Sequence, residues 1–337
     1  MAHEVETMAY AGKVPWHGLG VPVRDDMTPN EMLEAASLNW TVSKRPAYTI
    51  DSPVWNEGVG LLNAEGHHFI VRDTDNTVLS SCGEDYVPFQ NADTFQFFKK
   101  FVSAGQMKME TAGSLKDGQD IWGLAKLEMS FELPGGDKVE GYLLINSPHV
   151  AGKALTIMFT PVRVVCANTM SLALNTEGKR FRVLHLQAFD RDIMDAAEEA
   201  LGISEVKMKE FQEQTEFLAS KPAKPIVVQN YIAELFQPSL LIERGKMGVE
   251  TDIPLADEFT KTAEQVHEAI SLSPGADYKS AKDTWWGALN GVTYVLDHRK
   301  RETERSPGGA LYSGWLGQNA NVKRKALELA TEYAKVA

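Results

Sequence analysis

The chain has 337 residues, 43% of them hydrophobic and 24% charged, with 34 Lys and Arg against 46 Asp and Glu for a net charge of −12. That length exceeds what one hydrophobic core comfortably fills, so two packed regions are expected, and no run approaches the ~18 apolar residues of a membrane-spanning helix. The acidic balance excludes a protein that coats nucleic acid with its whole surface, because phosphate binding needs cations to displace counterions.

In chain order, residues 1–40 are expected to form an N-terminal arm and a first helix. Extended segments follow at Ala47 to Ile50, His67 to Arg72 and Thr77 to Cys82, separated by the turn-forming stretches Asn63-Ala64-Glu65-Gly66 and Asp73-Thr74-Asp75-Asn76. A helix begins at Asn91, carries Phe95, Phe98 and Val102 on one face and stops at Gly105. Strands resume at Gln119 to Glu128 and Val139 to Asn146, on either side of Pro134-Gly135-Gly136, and at Leu155 to Phe159, where Pro161 is expected to interrupt the strand. Arg163 to Cys166 leads into a short helical stretch ending near Leu174, and Arg180 to Leu186 is the last strand expected. From there the apolar residues recur at the helical period, predicting helices over Asp190 to Ser220, Ile226 to Phe236, Pro254 to Leu272, Lys279 to Arg301 and Asn321 to Ala334. The fold class is therefore α+β: an antiparallel β-rich core over 41–187, crossed by a helix, then a helical region over 188–337.

No Gly-rich phosphate loop, His-Glu-x-x-His, Gly-x-Ser-x-Gly or Cys-x-x-Cys is present, and Gly58-Val59-Gly60 lacks a third spaced glycine, so no cofactor is expected. Met1 to Glu6 lacks the basic flank and apolar run of a secretory signal, which points to the cytoplasm of a bacterial host. Cys82 and Cys166 suit that compartment as small buried hydrophobes. His67 and His68 point to opposite faces of one strand and do not share an ion. Asp190, Asp192 and Asp195 either hold a divalent metal or complement the dipole at a helix start. Trp285, Leu289, Val292 and Leu296 recur at helical spacing and belong to a core.

Three segments carry a resemblance that spans most of the chain: Met8 through Trp16-His17-Gly18-Leu19-Gly20, Thr160 through Arg163, Cys166, Asn168 and Thr169, and Trp285 through Asp297-His298. Together they resemble the phage- and plasmid-related family catalogued as domain of unknown function 932. The resemblance implies a mobile-element setting and no particular activity. Where relatives tend to show His-Asp-Gly-Ser, this chain reads Ser147-Pro148-His149-Val150-Ala151-Gly152, so no role is given to an acidic residue there. In architecture the predicted order of elements also resembles phage single-strand annealing proteins.

The basic residues supply the candidate site. Arg163, set among Val162, Val164 and Val165, is either a buried cation with a carboxylate partner or a phosphate ligand assisted by Asn168 and Thr169. Trp16-His17-Gly18 either docks the arm or places an imidazole beside a ligand. Lys179, Arg180 and Arg182 lie on a strand with Arg180 and Arg182 on one face, and Lys44-Arg45 sits at another strand. If both pairs line one sheet edge they form a groove for a sugar-phosphate backbone. The leading expectation is a non-catalytic single-stranded DNA-binding or annealing protein that works as a homo-oligomer, away from membranes. Two alternatives are carried: a metal-dependent enzyme of nucleic-acid metabolism built on Asp190, Asp192 or His149, and a host-takeover protein that binds a bacterial protein.

Overall fold

The computed structural model describes residues 5–12, 18–50, 60–165, 168–169, 181–186, 191–246, 255–299 and 313–337. Its elements run β1 (Val5–Ala11), β2 (Val21–Val23), α1 (Pro29–Ala35), β3 (Val42–Ile50), β4 (Leu61–Arg72), β5 (Val78–Cys82), α2 (Asn91–Ser103), β6 (Met107–Leu115), β7 (Asp120–Leu133), β8 (Asp137–Pro148), β9 (Ala154–Arg163), β10 (Asn168–Thr169) and β11 (Phe181–Leu184). Helices α3 (Arg191–Ser220), α4 (Pro225–Phe236), α5 (Pro238–Lys246), α6 (Lys261–Leu272), α7 (Trp285–Tyr294) and α8 (Gln318–Lys335) complete the chain. The fold is α+β, as the sequence predicts. One sheet has the order β10-β9-β8-β7-β6-β1-β2 with β11 also paired to β9, and a second has the order β3-β4-β5. Among the described residues no helix is long and apolar enough to cross a membrane.

The chain divides into two compact units, one of residues 1–126, 143–158 and 176–201, the other of residues 127–142, 159–175 and 202–337. In the first, α1 starts with a capping box: the Thr28 side chain accepts from the Glu31 backbone N–H, and the Glu31 carboxylate accepts from the Thr28 backbone N–H. Helix α2 buries Phe95, Phe97 and Phe98 completely. Gly123 of β7 lets these rings lie close, since a Cβ there would stand 2.9 Å from Phe98 Cε2 and 3.2 Å from Phe95 Cζ. Arg72 at the end of β4 bonds Glu6 of β1 and Asp75 of the next turn, with its guanidinium 5.2 Å from the centre of the Trp40 ring.

In the second unit, Trp285, Leu289, Val292 and Leu296 are core residues, and Tyr231, Trp285 and Tyr333 pack ring against ring. Helix α7 passes into a π-helical turn over Val295–Arg299, where the Leu296 carbonyl accepts from Asn319 Nδ2 of α8 and Asp297 pairs with the buried Lys323.

Several local expectations change. Asn63 to Gly66 does not end a strand: between the pairs Pro46↔His68 and Tyr48↔Asn63 the four residues 64–67 face Ala47 alone, so the turn-prone stretch is a bulge inside β4, with Gly66 at φ 74°. Pro161 does not interrupt β9. Among the described residues β11 pairs with 154–157 and β10 with Val162 and Arg163, so the proline falls in the gap where neither strand requires an N–H from it. Asn168 and Thr169 are extended rather than helical, and 170–174 lie outside the described residues. Strands β1 and β6 and helix α5 occupy segments to which no element was assigned, and the helix expected from Lys279 begins only at Trp285.

Candidate functional site

Strand β11 leads directly into the site. Along it Arg182 and Leu184 are exposed while Val183 and His185 are buried, the period-two pattern of a strand with one face inward. His185 is tied to the stretch after β5 from two sides, its carbonyl accepting from the Val87 N–H at 2.7 Å and its Nδ1 lying 3.2 Å from the Val87 carbonyl. A carbonyl only accepts, so Nδ1 carries the proton and Nε2 is a bare acceptor. The imidazole is sandwiched between Tyr86, at 4.8 Å between centroids, and Phe89, at 4.2 Å. Beside this stack opens a cavity of about 270 Å³ lined by Gly83, Asp85, Tyr86, Ala151, Gly152, Lys153, Leu184, His185 and Leu186. The Tyr86 hydroxyl and His185 Nε2, both buried, have no hydrogen-bond partner among the described residues.

A second imidazole, His149 at the end of β8, lies wholly buried under the same unit. Its Nε2 is 2.9 Å from Asn91 Oδ1, while Asn91 Nδ2 donates to the Leu38 and Trp40 carbonyls at 3.0 and 3.3 Å. Those two bonds fix which way the amide faces, so His149 donates from Nε2 and its Nδ1 is left as an acceptor without a donor among the described residues. Burial, with the neighbouring His185 adding to it, drives the His149 pKa down to about 3. Burial brings His185 down to about 4 against the Val87 carbonyl, which works the other way. Both rings are neutral near neutrality. Burial likewise raises Tyr86 well above the ordinary phenol range, so it holds its proton. Asp120, also wholly buried, is met by Lys153 at 3.2 Å and Lys116 at 3.7 Å.

The predicted site residues distribute unevenly. Lys44 donates from Nζ to the Glu84 carbonyl, within the turn whose Gly83 and Asp85 line the cavity. Arg182 is exposed on the same face of β11 as the cavity-lining Leu184. The two do not share a sheet edge, because β3 belongs to the three-stranded sheet and β11 pairs with β9 of the other. Lys44 and Arg182 therefore do not form a groove along one edge: Lys44 reaches the turn beside the cavity, and Arg182 stands two residues before the lining Leu184. Arg45 turns to Ser43, Asp73 and Asn76, at 3.0, 2.9 and 2.8 Å. Arg163 is the buried cation of its two readings: Nε and Nη2 grip the Asp137 carboxylate at 2.7 and 2.8 Å and Nη2 also donates to the Gly275 carbonyl at 2.9 Å. Asp137 Oδ2 further accepts from Ser280 Oγ at 2.6 Å and Trp286 Nε1 at 3.0 Å. Asn168 and Thr169 pair through their backbones with Arg163 and Val162. Gly18 has φ 69°, a left-handed value that suits a residue without Cβ. Trp16, His17, Cys166, Lys179 and Arg180 lie outside the described residues.

Nothing local in the sequence singles out Tyr86, which follows the polar Gly83-Glu84-Asp85, or Lys153 and His185, or signals that they meet. Among the described residues no group of three or more His, Cys, Asp or Glu is arranged to hold a metal ion. His149 is enclosed by Asn91 and Trp40; Asp190 and the side chain of Asp192 lie outside the described residues.

No curated protein and no solved structure matches the chain. A family model described as Domain of unknown function (DUF932) matches residues 78–328, a stretch that runs from β5 into α8 and includes the cavity-lining residues and the Arg163–Asp137 pair, and the chain belongs to that family.

Proposed function

We propose that the chain binds single-stranded DNA without catalysing a reaction, as a homo-oligomer that serves recombination or replication of a phage or plasmid. The observation that carries the reading is one cavity-lining cation, Lys153, with two more, Lys44 and Arg182, next to residues that line the same cavity. Lys153 lines it, Lys44 is bound to the carbonyl between two lining residues, and Arg182 shares a strand face with a third. Glu84 and Asp85 stand at the same turn and the buried Asp120 carboxylate pairs with Lys153, so the local field is modest. A site with two or three phosphate contacts binds weakly alone, and repetition of the site in an oligomer is what raises its affinity for a long strand.

The test is a fluorescence-anisotropy titration of a labelled single strand, with duplex DNA and RNA of equal length, at several salt concentrations. About three phosphate contacts give a slope of log affinity against log salt near −2. Arg182→Glu combined with Lys44→Glu is expected to lower single-strand affinity by at least about tenfold and to flatten that slope. No binding at the lowest salt, or binding unaffected by the double substitution, refutes the reading.

A further inference from the structure

Strand β11 and the two residues after it are held to the first unit by few contacts. Over residues 182–186, Arg182, Leu184 and Leu186 are exposed and only Val183 and His185 are buried. On one side the strand pairs with Ala154 to Ile157 of β9. On the other side the hydrogen bonds among the described residues are the two between His185 and Val87. One of the two side chains that pin this segment is thus an imidazole, 3% exposed and clasped between Tyr86 and Phe89.

The clasp requires a neutral ring. Nδ1 donates to the Val87 carbonyl, and the buried Nε2 has no partner among the described residues, so a proton added there would be a donor without an acceptor and a charge without a bonded carboxylate. The groups around it do not offset that charge. Tyr86 and the buried Cys82 keep their protons, and His149 is a second neutral imidazole. Lys153, which shares the cavity lining with His185, is a cation paired with Asp120, and Asp85 of the same lining is exposed to water.

We infer that His185 is an acid-operated latch: protonation of its ring releases β11 from Val87 and β9 while the rest of the first unit stays folded. Release dismantles the cavity that Leu184, His185 and Leu186 help to line and withdraws Arg182 from beside it. It is cheaper than global unfolding because, among the described side chains, it uncovers only Val183 besides the ring. His149 stays behind, bonded to Asn91 and packed against Trp40, so the opening takes up one proton where global unfolding takes up two. A released imidazole titrates near 6.5 and the latched one near 4, so the latch holds fully above 6.5 and gives way as the pH falls toward 4.

The experiment is hydrogen exchange of the full chain followed by mass spectrometry from pH 7 to pH 5, with rates corrected for the intrinsic pH dependence of amide exchange. Peptides covering 181–186 and Val87 are expected to be less protected at pH 7 than peptides of α2 and β8, and to lose about thirtyfold in protection by pH 5. The core peptides, which exchange on global unfolding, should lose about a thousandfold, the square of that factor. His185→Gln is expected to abolish the pH dependence over 181–186 and to leave about thirtyfold in the core. Protection over 181–186 that equals that of α2 and falls in step with it overturns the inference, as does protection that is flat with pH. Both outcomes are read on the unsubstituted chain, so a variant that folds poorly does not obscure them. A pH dependence over 181–186 that persists in a folded His185→Gln variant overturns it as well. None of these readouts involves nucleic acid, so the latch is tested apart from the single-strand reading.

Discussion

Acidification from pH 7 to pH 5 is expected to remove about 4 kcal/mol of folding stability, about 2 kcal/mol for each of His149 and His185. Both imidazoles titrate near 6.5 when the chain is unfolded, and the fold holds them down to about 3 and about 4. Between those values the unfolded chain takes up two protons that the folded chain refuses. The stability they represent is thus fully present above 6.5 and drains away as the pH falls toward the folded values. At pH 5 the drop below the unfolded value is 1.5 pH units at ~1.36 kcal/mol each, and the result does not depend on where below 5 the folded values lie. Asp73 and Glu31, which accept bonds first of all from Ser43 and Thr28, and Asp75, which accepts from Arg72, are held below the ordinary carboxylate range and titrate under this window. Urea unfolding followed by tryptophan fluorescence at half-unit steps of pH measures the slope. His185→Gln is expected to halve it. Stability that is flat from pH 7 to pH 5, or a slope undiminished in His149→Gln and His185→Gln alike, would refute the assignment of two buried neutral imidazoles.

Arg163→Ala is expected to cost about 3–5 kcal/mol, because the buried Asp137 carboxylate loses its bidentate partner, and a thermal melt followed by circular dichroism reads the loss. Arg163→Lys should recover little of it, since one ammonium does not reproduce the paired Nε and Nη2 bonds or reach the Gly275 carbonyl at the same time. Gly291→Ala in α7 would set a Cβ 2.4 Å from Ile270 Cγ1 and 2.9 Å from the Ile270 backbone nitrogen, so α6 must move away, and a lowered melting temperature corresponding to about 1–3 kcal/mol is expected. Arg182→Glu alone should leave the melting temperature unchanged, the residue being exposed, while weakening single-strand binding.

Much of the β-rich and helical organisation was legible because it is written locally. The apolar alternation from Leu155 to Phe159 and the helical stripe from Trp285 to Leu296 appear as a strand and a buried helix. What was illegible depended on partners distant in sequence. Strand β1 is short and unremarkable by itself and becomes a strand through Ala9↔Ala112 and its neighbours on β6. Asn63 to Gly66 has the composition of a turn, yet β3 continues past it on the same partner strand, and the surplus residues are expelled as a bulge. Arg163 looked equally suited to a carboxylate and a phosphate until Asp137, 26 residues earlier, and Trp286, far along the chain, came to it. Lys44 and Arg182 were recognised as basic strand residues, but strand order, which sequence does not encode locally, put them on different sheets.

Two sets of buried polar groups differ in how far the described residues satisfy them. Around Asp137 every bond described is internal: guanidinium, hydroxyl and indole donors all converge on one carboxylate, and the cost of desolvating it is met within the fold. Around His185 the protein fixes each ring and then stops short. Val87 and Asn91 each settle one nitrogen of an imidazole, and in doing so they turn the opposite nitrogen into an acceptor with no donor among the described residues. The Tyr86 hydroxyl is left in the same condition. Unmatched buried polar atoms cost about 1–3 kcal/mol apiece, and replacing Tyr86 by Phe would relieve that cost without opening the stack. Among the described residues the same holds for Asp120 Oδ1, Trp285 Nε1 and Arg324 Nε, so incomplete pairing is not confined to the neighbourhood of the cavity, and Tyr86→Phe is the substitution that measures its cost there.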